Sequence, residues 1–287
     1  MKAFTKLVFV AVAAAFVAFQ WRGPTLDPES LKGARVLVTG ASTGIGEQIA
    51  YQLAGFGAQV VITARREKVL QQVVEKCQGL GAQKALYLAA DMGNPSDPER
   101  VVKFAVDKLG GLDYLVLNHI GPSPFAMWDG DVEHTRWLMQ VNFLSYVQMA
   151  KTALPVLEQS KGSIVVVSSL LGKMCSPFAA PYSSTKFALQ GFFGTLQHEL
   201  AMQNSNVSIT ICVLGLIDTD AAMEKVKGLT NIQASPANEA ALHIITSGAS
   251  RQTESYYPWS CYYISLIRDW FPSYRDYFIR NFYQYEH

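Results

Sequence analysis

Apolar positions along the chain follow two alternating patterns. Short unbroken runs rich in Val, Ile and Leu occur at 35–40, 59–64, 84–90, 113–118, 163–169 and 207–214, with a weaker run at 254–258. Between them lie longer stretches in which apolar residues recur at helical spacing: 44–55, 67–78, 95–109, 131–159 and about 181–202. Unbroken apolar strands are buried on both faces, and strands separated by helices lie parallel in one sheet. The pattern therefore predicts an α/β chain with a doubly wound parallel sheet over residues 31–258. No internal repeat or low-complexity linker divides it, so a single domain is expected.

The two ends depart from this pattern. Lys2 and Lys6 precede an apolar run at 7–19. As a helix that run spans about 20 Å, short of the ~30 Å hydrocarbon core of a bilayer. Residues 1–20 thus read as a signal peptide. A retained anchor stretched by Phe4 and Trp21 is the alternative, and a buried N-terminal helix is the third reading. The first two enter the secretory pathway. Cleavage gives a secreted protein; retention gives one anchored in the endoplasmic reticulum membrane, with the folded part in the lumen. Asn206-Val207-Ser208 is a glycosylation sequon, so Asn206 is a candidate glycan site in that compartment. Residues 259–287 are crowded with aromatics, among them Trp259, Tyr262, Tyr263, Trp270, Tyr274, Phe278 and Tyr283. They suit a packed helix pair, a homodimer contact that closes a pocket, or a face in contact with a membrane surface.

Composition narrows the function. At 49% hydrophobic and 16% charged residues, the chain can build a sizeable core and is too apolar to be disordered. A net charge of +1 gives no footprint for nucleic acid. Cys77, Cys175, Cys212 and Cys261 are far apart, which argues against a metal site and a disulfide framework. Cys212, inside an apolar run, is expected to be a buried thiol.

Two motifs carry candidate chemistry. The turn after the first strand reads Thr39-Gly40-Ala41-Ser42-Thr43-Gly44-Ile45-Gly46 and leads into a helix. Glycines at such a place let the backbone approach a pyrophosphate seated at the helix N-terminus, as in Rossmann-type sheets. The second strand ends in Arg65-Arg66, where an acidic residue would accept the ribose diol of NAD. Arginines there suit the 2′-phosphate of NADP(H), the alternative being a solvated helix start. The second motif is Tyr182-Ser183-Ser184-Thr185-Lys186 at the start of a helix. Residues four apart share a helix face, so hydroxyl and ammonium lean into one site. At ~4 Å and an effective dielectric of about 20 their attraction is about 4 kcal/mol, enough to lower a phenol pKa by up to about 3 units. Such a tyrosine exchanges protons with an alcohol or carbonyl near neutral pH.

Thr39–Gly46, Asn118, Asn142, Ser169, Tyr182 and Lys186 together resemble the short-chain dehydrogenase/reductase family. The runs 118–120, 141–146, 163–169, 186–189 and 212–219 are similar, within it, to the 11-beta-hydroxysteroid dehydrogenases of the type 1 and type-1-like group. The resemblance implies an NADP(H)-dependent oxidoreductase acting on a lipophilic small molecule, a steroid first and a retinoid or other lipid alcohol second. A lipophile-binding protein that keeps the fold without the chemistry is the competing class, and the intact set of four residues argues against it. By resemblance, Tyr182 is the proton donor and acceptor. Lys186 lowers its pKa and holds the nicotinamide ribose, and Ser169 binds the substrate oxygen. Asn142 holds a water that relays protons to Lys186. Gly40, Ala41, Ser42, Thr43, Gly44, Ile45, Gly46, Arg65 and Arg66 would line the pyrophosphate and ribose. Asp91 and Met92 would lie along the adenine, with Asn118, His119 and Ile120 behind it, and Ile217, Asp218 and Thr219 against the nicotinamide. His119 is expected to be structural, with no role as a base. Thr43 and Ser176 depart from the type 1 pattern, which has a lysine and a tyrosine there. The first leaves the 2′-phosphate to Arg65 and Arg66; the second alters the substrate rim.

Overall fold

The computed structural model describes residues 25–270 and 272–283, so the expected leader at 1–20 lies outside the described residues. In chain order the elements are β1 (Arg35–Thr39), α1 (Gly44–Gly55), β2 (Gln59–Ala64), α2 (Glu67–Gly79), β3 (Lys84–Ala89), α3 (Asp97–Leu109), β4 (Tyr114–Leu117) and α4 (Val132–Met139). A π-helical turn at Gln140–Leu144 follows, then α5 (Ser145–Ser160), β5 (Ser163–Ser169), α6 (Ala180–Met202), β6 (Ser208–Leu214), β7 (Ile217–Asp218) and α7 (Asp220–Val226). The described chain ends with β8 (Ser235–Pro236), α8 (Ala237–Ala249), β9 (Glu254–Tyr257), α9 (Ser260–Ile267) and α10 (Pro272–Asn281).

Seven strands form one all-parallel sheet in the order β3-β2-β1-β4-β5-β6-β9, a Rossmann-type arrangement. Alternate residues of each strand enter opposite cores. Val36, Val38, Val60, Ile62 and Val116 pack under α1, α2 and α8 with Ile49, Leu70 and Ile244. Leu37, Val61, Leu115, Leu117 and Ile164 pack under α3, α5 and α6 with Val102, Met149 and Phe193. Because both faces are covered, the strands need no polar positions, which is why they read as unbroken apolar runs. Strand order reverses between β1 and β4, and the carboxyl ends of the strands open a crevice there.

Several expected bounds shift for local reasons. Asp113 leaves the start of β4 to take Arg35, which donates from Nε at 2.9 Å and Nη2 at 2.7 Å. Gly40 and Asn118 leave the ends of their strands to build the crevice. The helix expected at 131–159 is split into α4 and α5 by the π turn. There Asn142 accepts from the Gly121 N–H at 2.7 Å and donates to Thr185 Oγ1 at 3.2 Å. A buried side chain serving two distant elements has pulled an extra residue into one turn.

Candidate active site

The glycine turn between β1 and α1 is shaped by close backbone approach. Gly40 and Gly44 take φ of +65° and +63°, values that favour glycine. A Cβ on Gly46 would stand 2.3 Å from the Gly40 carbonyl oxygen, so only hydrogen fits where α1 meets the turn. Asn118 Nδ2 donates to the carbonyls of Thr39 at 3.1 Å and Gly40 at 3.3 Å, fixing the turn against the end of β4. Ala41 donates its N–H to Thr63 O at 3.2 Å, which leaves its methyl fully buried in the core. At the end of β2, Arg66 Nη2 donates to Ser42 Oγ at 3.1 Å and Thr43 Oγ1 at 3.2 Å, drawing its guanidinium over the turn. Arg65 reaches the same wall.

Tyr182, Lys186 and Ser169 converge from α6 and the end of β5. Lys186 is 1% exposed; its Nζ donates to Val167 O at 2.9 Å and lies 5.7 Å from the centre of the Tyr182 ring. Ser169 Oγ accepts the Leu171 N–H at 3.2 Å, which leaves its own proton to donate. The electrostatics correct the expected lowering of the tyrosine pKa. Burial pushes the Tyr182 phenol up to about 12, with Ser169 beside it acting the other way, and burial pushes Lys186 down to about 7. Desolvation of each charged form outweighs the attraction between them.

His119 is tied off from chemistry. Its Nδ1 sits 2.8 Å from Thr39 Oγ1 and its Nε2 2.7 Å from Ser145 Oγ, and burial, aided by Lys186 nearby, lowers its pKa to about 3. The ring is therefore neutral scaffold. Tyr146 donates to its carbonyl at 2.7 Å.

These groups open onto one cleft of about 1520 Å³. Ligand pockets commonly measure ~300–1,000 Å³, so there is room for a dinucleotide and a second ligand. Gly40, Ser42, Thr43, Gly44, Ile45, Arg65, Arg66, Asp91, Met92, Asn118, His119, Ile120, Ile217, Asp218 and Thr219 all reach its wall, with Ser169, Tyr182 and Lys186. Thr219 stands against Gly44, where an added Cβ would meet its Cγ2 at 3.0 Å. Three expected site residues do not reach the wall. Ala41 faces the core, Gly46 packs on the turn, and Asn142, 0% exposed, supports Gly121 and Thr185 from behind.

Residues 34–230 match the pattern that defines the family described as short chain dehydrogenase. The chain belongs to this family. It is 68% identical over 285 residues to the hydroxysteroid 11-beta-dehydrogenase 1-like protein of Danio rerio, covering 99% of both chains. With the protein of the same name from Gallus gallus it shares 60% identity over 260 residues, 90% of each chain. A short chain dehydrogenase from Burkholderia cenocepacia J2315, solved in complex with NADP, superimposes with a TM-score of 0.71 at 27% identity, over 79% of this chain and 96% of that one. As a short-chain dehydrogenase the protein is an NAD(P)-dependent oxidoreductase acting on a small molecule.

The part of this short-chain dehydrogenase site that sequence reasoning missed is its roof. Ile264, Arg268, Arg275, Phe278 and Tyr283 from α9, α10 and the residues after them line the cleft. Tyr283 forms an antiparallel bridge with Thr230 and sets its ring 6.0 Å from those of Phe125 and Phe178. Arg268 ties the roof to the loop after Ser169, donating to Lys173 O at 2.6 Å. The aromatic crowding of this stretch was the only signal for it, and crowding names no partner.

Proposed function

We propose that the protein is an NADP(H)-dependent oxidoreductase that interconverts a hydroxyl and a keto group on a steroid. The observation that carries this reading is the convergence of Tyr182, buried Lys186 and Ser169 in one cleft whose wall also holds Arg65, Arg66 and a set of apolar side chains. The apolar set includes Leu170, Leu171, Met174, Leu216, Ile264 and Phe278, suited to a rigid lipophile. The name borne by the relatives, hydroxysteroid 11-beta-dehydrogenase 1-like protein, points to the same substrate class. The cofactor supplies or takes the hydride. Tyr182, with its pKa near 12, keeps its proton at neutral pH and gives it to the carbonyl oxygen in reduction; in oxidation its phenolate, the minor form at that pH, takes the alcohol proton. The Lys186 ammonium, one turn along α6, steadies the phenolate in between. Ser169 donates its free proton to the same substrate oxygen, and Asn142 holds the π turn and Gly121 behind the pair.

Preference for NADP(H) rests on Arg66, whose guanidinium already bridges the hydroxyls of Ser42 and Thr43. Glu67, the nearest following carboxylate, accepts from the Tyr87 hydroxyl at 3.3 Å and is turned away from a ribose diol. The reading also takes residues 1–20 as a secretory leader or anchor and the working form as a homodimer. Exposed Leu144, Phe187 and Phe192 offer the homodimer an apolar face.

The test is turnover of a ketosteroid with NADPH and NADH. The parent protein is expected to favour NADPH. Tyr182→Phe should cut turnover at least about 100-fold, the scale of general acid catalysis, and leave NADPH binding within about twofold. Substantial activity in Tyr182→Phe sinks the mechanism.

A further inference from the structure

Two arginines reach the cleft wall beneath the roof while the carboxylates paired with them stay outside. Arg268 and Arg275 line the cleft; Asp269 and Asp276, which pair with them, do not. The Asp269 and Asp276 side chains are 66% and 52% exposed, against 30% for Arg275. These two carboxylates thus meet the arginines from the solvent side.

A count of donors separates the two arginines. Arg268 is committed, with Nε and Nη2 on Asp269 and Nη1 on Lys173 O. Arg275 places Nε on Asp276 at 2.7 Å and Nη1 on Arg268 O at 3.1 Å, and its Nη2 has no acceptor among the described residues. Lys225 of α7 adds a second cation, whose Nζ has no acceptor among the described residues. It lines the same cleft, and burial holds its pKa below the ordinary lysine value, with no charged group contributing. Asp218, Asp220 and Glu224 of that segment also reach the wall, yet none pairs with it. The Thr230–Tyr283 bridge ties the chain after α7 to the roof, so Lys225 and Arg275 belong to one compartment. A cation with a spare donor gains from a charged acceptor, the more so where it is partly buried as Lys225 is, and a guanidinium edge matches the two oxygens of a carboxylate.

We propose that the substrate is a lipophile bearing a carboxylate, which Arg275 and Lys225 hold under the roof while its hydroxyl or keto group sits at Tyr182. This rests on the oxidoreductase reading for the chemistry at Tyr182, but the anion subsite stands on its own residues.

The probe is a matched pair: a ketosteroid with a side-chain carboxylate, and its methyl ester. The parent protein should show a kcat/KM at least tenfold higher for the acid, the difference lying in KM and shrinking as salt rises. Lys225→Met and Arg275→Met should each bring the acid-to-ester ratio toward one, and Arg275→Lys should restore part of it. Because Arg275 also helps to hold the roof, the Lys225 variant is the cleaner arm. A ratio at or below one in the parent, or a ratio unchanged in both Met variants, overturns the proposal. Should neither compound be turned over, equilibrium binding of the pair decides. Tighter binding of the acid, lost in the variants, supports the subsite and counts against the oxidoreductase reading; equal binding overturns the subsite.

Discussion

Lys186 shows how much of a residue's chemistry lies in what surrounds it. The spacing of Tyr182 and Lys186 is legible in the chain, and so is their shared helix face. Their pKa values are not, because desolvation depends on β5, α5 and α6 closing around them. This has a pH signature. Lys186 titrates near 7 in the folded protein against 10.5 ordinarily, so between those values the unfolded chain holds a proton that the folded one has shed. From this group, stability therefore rises with pH between about 7 and 10.5, by at most about 1.4 kcal/mol per unit, and is flat below about 7, where both states hold the proton. Other groups titrate in the same range, so the comparison is with Lys186→Met. Urea denaturation from pH 6 to 9, without added cofactor, should show the parent gaining on the variant above pH 7; a constant gap contradicts the assignment. Arg66 is the second residue with a sharp expectation. One charge-assisted contact is worth about 1.5–3 kcal/mol, so Arg66→Ala should raise the NADPH dissociation constant about tenfold or more and barely move that of NADH. Equal effects on both cofactors would reduce Arg66 to a clasp on Ser42 and Thr43.

Among the elements, strands and the helices that cover them were legible because burial on both faces writes itself into the sequence. The bounds of α1, β2 and β5 agree with the apolar pattern residue for residue. The π turn was not legible, since its cause, the reach of Asn142 to Gly121 and Thr185, joins residues far apart in the chain. Nor was the division of labour within the glycine turn. Gly46 looked like a cofactor contact and is a packing contact between α1 and the turn. Gly46→Ala would set a Cβ 2.3 Å from Gly40 O and 2.5 Å from Asn118 Nδ2, and the turn must move to admit it. Overpacking of this kind costs about 1–3 kcal/mol. Thermal denaturation should show that loss, and titration should show NADPH affinity reduced at least tenfold. A variant that binds NADPH normally would mean the turn yields without disturbing the site.

For the whole molecule, the single domain, the parallel sheet and the position of the crevice follow from the order of strands and helices. Where the chain is delivered is a separate matter, and Asn206 offers the measurement. It lies exposed in the turn between α6 and β6, its carbonyl held by the Arg251 guanidinium, so its side chain is open to a glycosyltransferase. Expression in a eukaryotic secretory host should give a glycosidase-sensitive mass that Asn206→Gln removes. A mass unchanged by both would argue against a lumenal chain. Fractionation into medium and membranes then separates cleavage of residues 1–20 from their retention. The roof belongs to this scale as well, because it unites segments separated by half the chain, as in the contact of Tyr283 with Phe125.

That roof also sets an order of assembly. Every cofactor-facing residue named above, and the Ser169–Tyr182–Lys186 group with them, precedes Ser260, whereas α9 and α10 follow it. During synthesis the ribosome finishes all seven strands of the sheet before it has made either roof helix. A nascent chain halted after β9 thus already holds every residue of the floor and none of the roof helices: a vessel without its lid.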